Sequence, residues 1–217
     1  MSKGYVLSLC DRTGQMVRPW LNAGYGAVTI DVQDEANPHE NRSHVQMDVR
    51  EITSGIMHRA YPMGFSAIFA FPPCTHVAVS GSKHFKVKGL PKLIEALEIL
   101  NACREICEAS NVPYMIENPV SVFSSYWRKP NYYFHPYDYT AFELGDHYTK
   151  KTCLWTGGDF VMPKPCPDAS LANIKPDDRI HKAAPSVDRG DIRSVTPMGF
   201  ARAVFYANAP HLKEQAA

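Results

Sequence analysis

Residues 5–31 narrow the fold more than any other part of this chain. Tyr5 to Leu9 (Y-V-L-S-L) reads as a short strand of aromatic and β-branched character. Cys10-Asp11-Arg12-Thr13-Gly14-Gln15 follows as a turn. Met16, Val17, Trp20 and Leu21 then fall at helical spacing, and Gly24 stops the helix. Ala27 to Ile30 is a second strand, closed by Asp31. Strand, turn, helix, strand and acid in that order begin a doubly wound, mostly parallel α/β sheet, because two parallel strands need a crossover between them.

The alternation continues. Residues 33–42 read as a polar loop, and His44 to Met47 as a short stretch ended by Asp48. Residues 51–61 read as a short helix. Phe65 to Phe71 is apolar at every position but Ser66, as a strand covered on both faces should be. Pro91 to Ser110 gives the clearest helix, with Leu93, Ile94, Leu97, Leu100, Ile106 and Cys107 on its stripe and Pro91 in its first turn. Tyr114 to Ile116 is another central strand, and Glu117-Asn118-Pro119 forms its tip. Residues 120–147 are rich in Tyr, Phe, Trp and His with little periodicity, and read as a satellite core rather than a base-stacking platform. Thr152 to Trp155 looks like a strand, 157–193 like a Pro-, Asp- and Lys-rich loop, and Thr196 to Ala209 like a last helix with Thr196 as its cap and Pro197 as its first residue.

Composition excludes several classes. With 217 residues, 45% of them hydrophobic and 21% charged, the chain suits one domain with a sizeable core. A net charge of +1 creates no global field for nucleic acid, so such contact needs a local basic loop. No apolar run approaches the roughly 20 residues of a membrane span, and the start lacks the apolar core of a leader peptide, so a cytoplasmic protein is expected. Cys10, Cys74, Cys103, Cys107, Cys153 and Cys166 form no C-x-x-C pair. Cys103 and Cys107 lie one helical turn apart but have no matching second half, so free thiols are expected and no metal.

Chemistry in such sheets gathers at the carboxyl ends of strands. Three features end strands here: the 10–15 turn with Asp31, the Pro72-Pro73-Cys74 tip, and the Glu117-Asn118-Pro119 tip. In this order they resemble the DNA cytosine-C5 methyltransferases, in particular the short bacteriophage and prophage forms. The resemblance spans nearly the whole chain. Phe71-Pro72-Pro73-Cys74 matches the family's Pro-Cys nucleophile motif, and Ile116-Glu117-Asn118-Pro119 its Glu-Asn motif. Leu7 to Gln15 matches the cofactor turn loosely, with one glycine where the family has several. Residues 149–155 (T-K-K-T-C-L-W) stand where the family has Gln-x-Arg-x-Arg, with lysine and threonine for arginine in either register. Arg193-Ser194-Val195-Thr196-Pro197 resembles its last conserved stretch.

The resemblance implies a Rossmann-like methyltransferase domain over 1–156 and 194–217, with 157–193 as a much reduced recognition segment. It implies S-adenosylmethionine as cofactor, held by Cys10, Asp11, Thr13, Gly14, Gln15, Asp31, Val32, Asp48, Val49 and Pro72. Asp31 would take the ribose hydroxyls and Asp48 the adenine amino group. It implies Cys74 as the thiolate that adds to cytosine C6, Glu117 as the proton donor to N3, Asn118 as a positioning group and Lys151 as a further catalytic group. Pro73, Thr75, Ser80, Lys83, Lys86 and Lys150 are the expected substrate contacts, with the lysines on phosphate. The expected partner is duplex DNA with its target base flipped out, in a bacterial host cytoplasm. Two alternatives stand beside this. One is the same chemistry on single-stranded DNA, RNA or a nucleotide, suggested by the short recognition segment. The other is a DNA- or partner-binding protein whose catalysis has lapsed, suggested by the altered turn and the absent arginines.

Overall fold

A computed structural model describes residues 3–52, 64–182 and 193–215. Seven strands form one sheet: β1 (Tyr5–Leu9), β2 (Gly26–Asp31), β3 (Arg42–Gln46), β4 (Ala67–Ala70), β5 (Tyr114–Pro119), β6 (Tyr132–Phe134) and β7 (Thr152–Gly157). Their order is β3-β2-β1-β4-β5-β7-β6. The first five in space are parallel, while β7 runs antiparallel to both β5 and β6. This is the doubly wound, mostly parallel α/β sheet expected from the sequence.

Both faces are covered, which explains the near-continuous apolar strands. On one face lie α1 (Arg18–Asn22) and a late helix, Met198–Asn208. Trp20 of α1 meets Phe205 edge-on with ring centroids 5.3 Å apart, over Val6, Ala27 and Phe69. On the other face α2 (Phe85–Ala109) lays Leu100, Cys103 and Cys107 against Leu7, Ile68 and Ile116. The register sets this sorting: Leu7 stands beside Val28 and Ile68, so all three turn to the same side. The late helix, here α3, buries Phe200, Val204 and Phe205.

Several boundaries differ from expectation. α2 starts at Phe85 rather than Pro91, but Gly89 breaks it with φ 76°, so the regular helix does begin around Pro91. α3 begins at Met198, with Pro197 rather than Thr196 in the capping position and no side-chain cap. β3 starts at Arg42, inside the stretch read as loop. β6 was not legible: Tyr132, Tyr133 and Phe134 pair with Leu154, Cys153 and Thr152, a ladder too short to show periodicity. Of the helix expected at 51–61, a short turn over Val49–Glu51 is described, and residues 53–63 lie outside the described residues. The aromatic stretch divides. Phe134 and Tyr139 join the core against Phe200, whereas Tyr126, Tyr132 and Tyr133 stay exposed.

Residues 157–182 lie along the body as extended chain and short turns. The Tyr139 hydroxyl donates to Pro163 O at 2.9 Å, and Asn208 takes Val161 N–H on its side-chain oxygen at 2.8 Å. Among the described residues no helix is long and apolar enough to cross a membrane.

Candidate active site

The strand order turns back at β1, which has β2 on one side and β4 on the other. The crevice outside the carboxyl ends of β1 and β4 is where sheets of this kind bind ligands. The 10–15 turn leaves β1 there, and Pro72-Pro73-Cys74 leaves β4 beside it.

The turn after β1 is built by side chains. Cys10 reverses the chain with φ 54°, a left-handed conformation usually left to glycine. Buried Asp11 then acts as an internal scaffold. Its Oδ1 accepts Thr13 N–H at 3.1 Å, Thr13 Oγ1 at 3.0 Å and Gly14 N–H at 2.8 Å, and its Oδ2 accepts the Ser8 hydroxyl at 2.7 Å. The Asp11 carboxylate is thus occupied in shaping the turn. Below the turn, Arg42 donates to Thr13 O (2.9 Å), Arg12 O (3.0 Å), Ala36 O (2.9 Å) and Asn37 O (3.2 Å). Its Nε lies 3.0 Å from Glu35 Oε1, an ion pair without hydrogen-bond alignment. Arg42 therefore clamps the turn after β1 to the loop after β2. The sequence reading missed it, although a turn short of glycines has to be held by something else.

Asp31 ends β2 half-buried and takes Gln33 N–H on Oδ1 at 2.9 Å. Burial pushes its carboxyl up, the Gln33 bond partly offsets this, and Asp11 adds to the rise. Val32 beside it is exposed. Asp48 is held by Arg50, which donates from its backbone (2.9 Å) and, through Nε, to both carboxylate oxygens (3.0 and 3.1 Å). The Arg50 bond holds Asp48 below the usual carboxyl range. Val49 is a core residue of the cluster that holds Ile52, so its side chain is spent on packing. The Cys10 thiol, 3.9 Å from the Cys103 thiol, is pushed up first by that contact, then by burial and by Asp31 and Asp48, whose charges both reach it. Gln15 is half-buried and donates its N–H to Thr13 Oγ1 at 3.3 Å.

The tips of β4 and β5 are tied together. Ala70 pairs with Ile116, and beyond that pair the buried Asn118 amide donates to Pro72 O at 2.7 Å. Glu117 and Lys150 face each other with Oε1 and Nζ 4.0 Å apart and side chains only 14% and 12% exposed. Cys74 belongs to the same group: burial pushes its thiol up, Glu117 pushes it further, and Lys150 and Arg193 pull it down. Glu117 is itself pushed up by burial, opposed by Lys150. Glu117 Oε1 and Asn118 Oδ1 are buried acceptors without a hydrogen-bond partner among the described residues, an expense that a polar ligand would relieve.

Lys151 is not part of this group. Its Nζ sits 4.9 Å from the centre of the Tyr133 ring, on the exposed side of β6. The lysine beside Glu117 is Lys150, so the structure brings that residue to the carboxyl and leaves Lys151, the expected catalytic group, on Tyr133. Arg193, read only as part of a motif, joins the site through its charge on Cys74.

The segment after Cys74 is folded, not loose. Val77 and Ala78 donate to Cys74 O, Val79 donates to Val120 O and Val122 to Val77 O. Lys88 Nζ donates to Thr75 O. Pro73, Thr75, Ser80, Lys83 and Lys86 are exposed along this segment. A cavity of about 440 Å3 lies instead between α2 and Tyr126-Trp127, lined by Leu97, Leu100 and Arg104 and by none of the rim residues. Among the described residues no group of three or more His, Cys, Asp or Glu side chains is placed to hold a metal.

No protein-family model matches the chain, and no curated protein matches its sequence. Solved structures similar to it include a protein described as a ribosomal RNA methyltransferase from Plasmodium falciparum. It matches at 8% identity and TM-score 0.43, covering 72% of this chain and 87% of that one. The glycopeptide N-methyltransferase MtfA matches at 12% identity and TM-score 0.30, covering 55% of this chain and 48% of that one. At those scores neither likeness bears on chemistry, and the functional reading rests on this chain's own residues.

Proposed function

We propose that the chain transfers a methyl group from S-adenosylmethionine to C5 of cytosine in DNA, through a covalent adduct on Cys74. The observation that carries the reading is the joined rim: Cys74 and Glu117 on neighbouring strand tips, tied by Asn118 to Pro72 O and sharing Lys150. The residues of the crevice suit the cofactor. The charges of Asp31 and Asp48 both reach Cys10; half-buried Asp31 at the end of β2 is suited to ribose hydroxyls, and Asp48, already paired with Arg50, lies at the same edge. Bound there, the cofactor supplies an electrophilic methyl group.

The chain's own residues do the rest. Cytosine C5 is a weak nucleophile until a thiolate adds to C6. Cys74 forms that bond while Glu117 gives its proton to N3, so the ring becomes an enamine that attacks the methyl carbon. Loss of the C5 proton to a base then expels the Cys74 thiolate, N3 returns its proton to Glu117, and the aromatic ring is restored. Burial suits Glu117 to its part, because it favours the neutral acid that can donate. A neutral Glu117 no longer pushes the Cys74 thiol up, and Lys150 and Arg193 are then left to favour the thiolate. Lys150 can also give a hydrogen bond to the base's O2. The 157–193 segment serves as a reduced recognition element.

That small segment favours one second reading, the same chemistry on an unpaired strand or a nucleotide. The test is transfer of labelled methyl from the cofactor to duplex DNA, single strands and free nucleotides, followed by base analysis. Label in 5-methylcytosine of duplex DNA is expected. Label confined to single strands or nucleotides would select the second reading, and no label from any acceptor would overturn both.

A further inference from the structure

The outer face of α2 carries charge in the reverse of the order that a helix favours. Acids in the first turn and bases in the last stabilise a helix through its dipole. α2 has no acid in its first turn and no base in its last. From Lys83 to Ile94 the sequence holds four lysines and no Asp or Glu, and from Glu95 to Ala109 it holds four glutamates, with Arg104 as the single Lys or Arg. Glu95 pairs with Lys92 and Glu98 with Arg50. Arg104 lies 3.7 Å from Glu105 and 3.9 Å from Glu108, so one cation serves two carboxylates and the far end of the helix keeps a negative excess. Between the charged ends the face is apolar. Leu90, Ile94 and Leu97 follow at spacings of four and three, on a stripe that continues through Asn101 and Arg104. Leu90 is 66% exposed and Ile94 47%, and Tyr126 beside them is exposed as well. This stripe holds both a projection and a hollow. Leu90 projects next to the Gly89 break, and the cavity of about 440 Å3 opens further along, between Leu97, Asn101 and Arg104 on the helix and Tyr126-Trp127.

We infer that two copies of this chain pair through this face, α2 against α2 and antiparallel, with Leu90 of each copy seated in the cavity of the other. The pairing is independent of the proposed chemistry. A twofold axis at Ile94 sets that residue against its own twin and brings Leu90 to Glu98 and Asn101 of the second copy, which line the cavity. Such an interface is self-complementary, and each contact occurs twice. Lys86 then falls near Glu98 and Glu105 of the second copy. Lysines that burden the start of one helix thereby meet glutamates that burden the end of the other. Charge also selects the antiparallel sense, because parallel helices would set lysine on lysine and glutamate on glutamate. The same step covers apolar side chains that a monomer leaves in water. A phosphate backbone laid along the face would meet the glutamates, so the face as a whole does not suit nucleic acid. On this assignment Lys86 serves the second copy rather than the expected phosphate contact.

The experiment is sedimentation velocity on the full chain, freed of nucleic acid, at concentrations up to about 100 µM, which reaches the weak end of specific interfaces. A dimer that loosens as salt is added is expected. Leu90→Asp should raise the dimer Kd at least about tenfold. Lys86→Glu and Glu105→Lys should each weaken the dimer, and the double variant should recover most of the wild-type affinity, which a folding defect in either single variant would not allow. Position is read with Ile94→Cys in a Cys166→Ser background, since Cys166 is the exposed thiol. Mild oxidation should then link two copies through residue 94. A chain that stays monomeric throughout would overturn the pairing. So would a dimer untouched by Leu90→Asp, a double variant no tighter than the single ones, or the absence of a link at residue 94. Association that requires added duplex DNA or a different protein would give the face to that partner and overturn the pairing too.

Discussion

At the residue scale the site turns on the coupling of two groups. The Cys74 thiol is held above its ordinary value of 9.0, first by burial and second by Glu117, while Lys150 and Arg193 oppose the rise. The thiolate fraction of Cys74 at pH 8 is therefore small, and its alkylation by iodoacetamide should climb with pH through and beyond 9. Removing the positive charge with Lys150→Met raises the thiol further and should slow alkylation at pH 8. At a pH where Glu117 is ionised, removing its charge with Glu117→Gln lowers the thiol and should speed the reaction; where Glu117 is neutral the variant leaves the rate unchanged. Each change is expected to be a few-fold in rate, read by peptide mass mapping so that exposed Cys166 is scored separately. Both variants moving the rate in one direction would contradict the coupling. Cys74, Glu117 and Asn118 were legible in the sequence because each stands at a strand end marked by proline. The choice between Lys150 and Lys151 was not, because adjacent residues of an extended chain point opposite ways and only the pairing of β7 decides which one faces Glu117.

At the element scale the informative unit is the turn after β1. A glycine-rich turn holds its shape through backbone freedom alone, whereas this turn uses the Asp11 carboxylate above and the Arg42 guanidinium below. The same Arg42 reaches Ala36 and Asn37, so it fixes the spacing between the turn after β1 and the loop that follows Asp31. A lysine in its place offers one point of charge instead of a planar fork. Arg42→Lys is expected to weaken S-adenosylmethionine binding about tenfold, near 1.4 kcal/mol, in calorimetry, with the trapping rate at saturating cofactor unchanged. Affinity within twofold of wild type would show that the clamp does not shape the crevice. This device escapes a motif search because its two halves are far apart in sequence, and the buried strand start that aims Arg42 looked like polar loop. β6 escaped for a simpler reason: three residues carry too little alternation to register as a strand.

For the whole molecule, the alternation of apolar strands with turns and helices already dictated a doubly wound sheet. What it could not dictate was neighbourhood. The order β2-β1-β4-β5 is what brings the turn after β1, the tip of β4 and the tip of β5 to one edge. The antiparallel return of β7 is what delivers Lys150 there from more than thirty residues away in sequence. Arg193 likewise reaches Cys74 only because the chain comes back to the rim before α3 packs on the face shared with α1. The site is thus a product of topology acting on residues that are individually unremarked. The measurement that addresses it most directly is intact-mass analysis of the protein incubated with S-adenosylmethionine and duplex DNA carrying 5-fluorocytosine. Fluorine at C5 blocks loss of the proton and so stops the reaction at the adduct. One DNA strand covalently attached through Cys74, and none with Cys74→Ser, is the predicted result. An adduct that persists in Cys74→Ser, or wild-type protein that forms none on any pyrimidine substrate while still binding the cofactor, would contradict it.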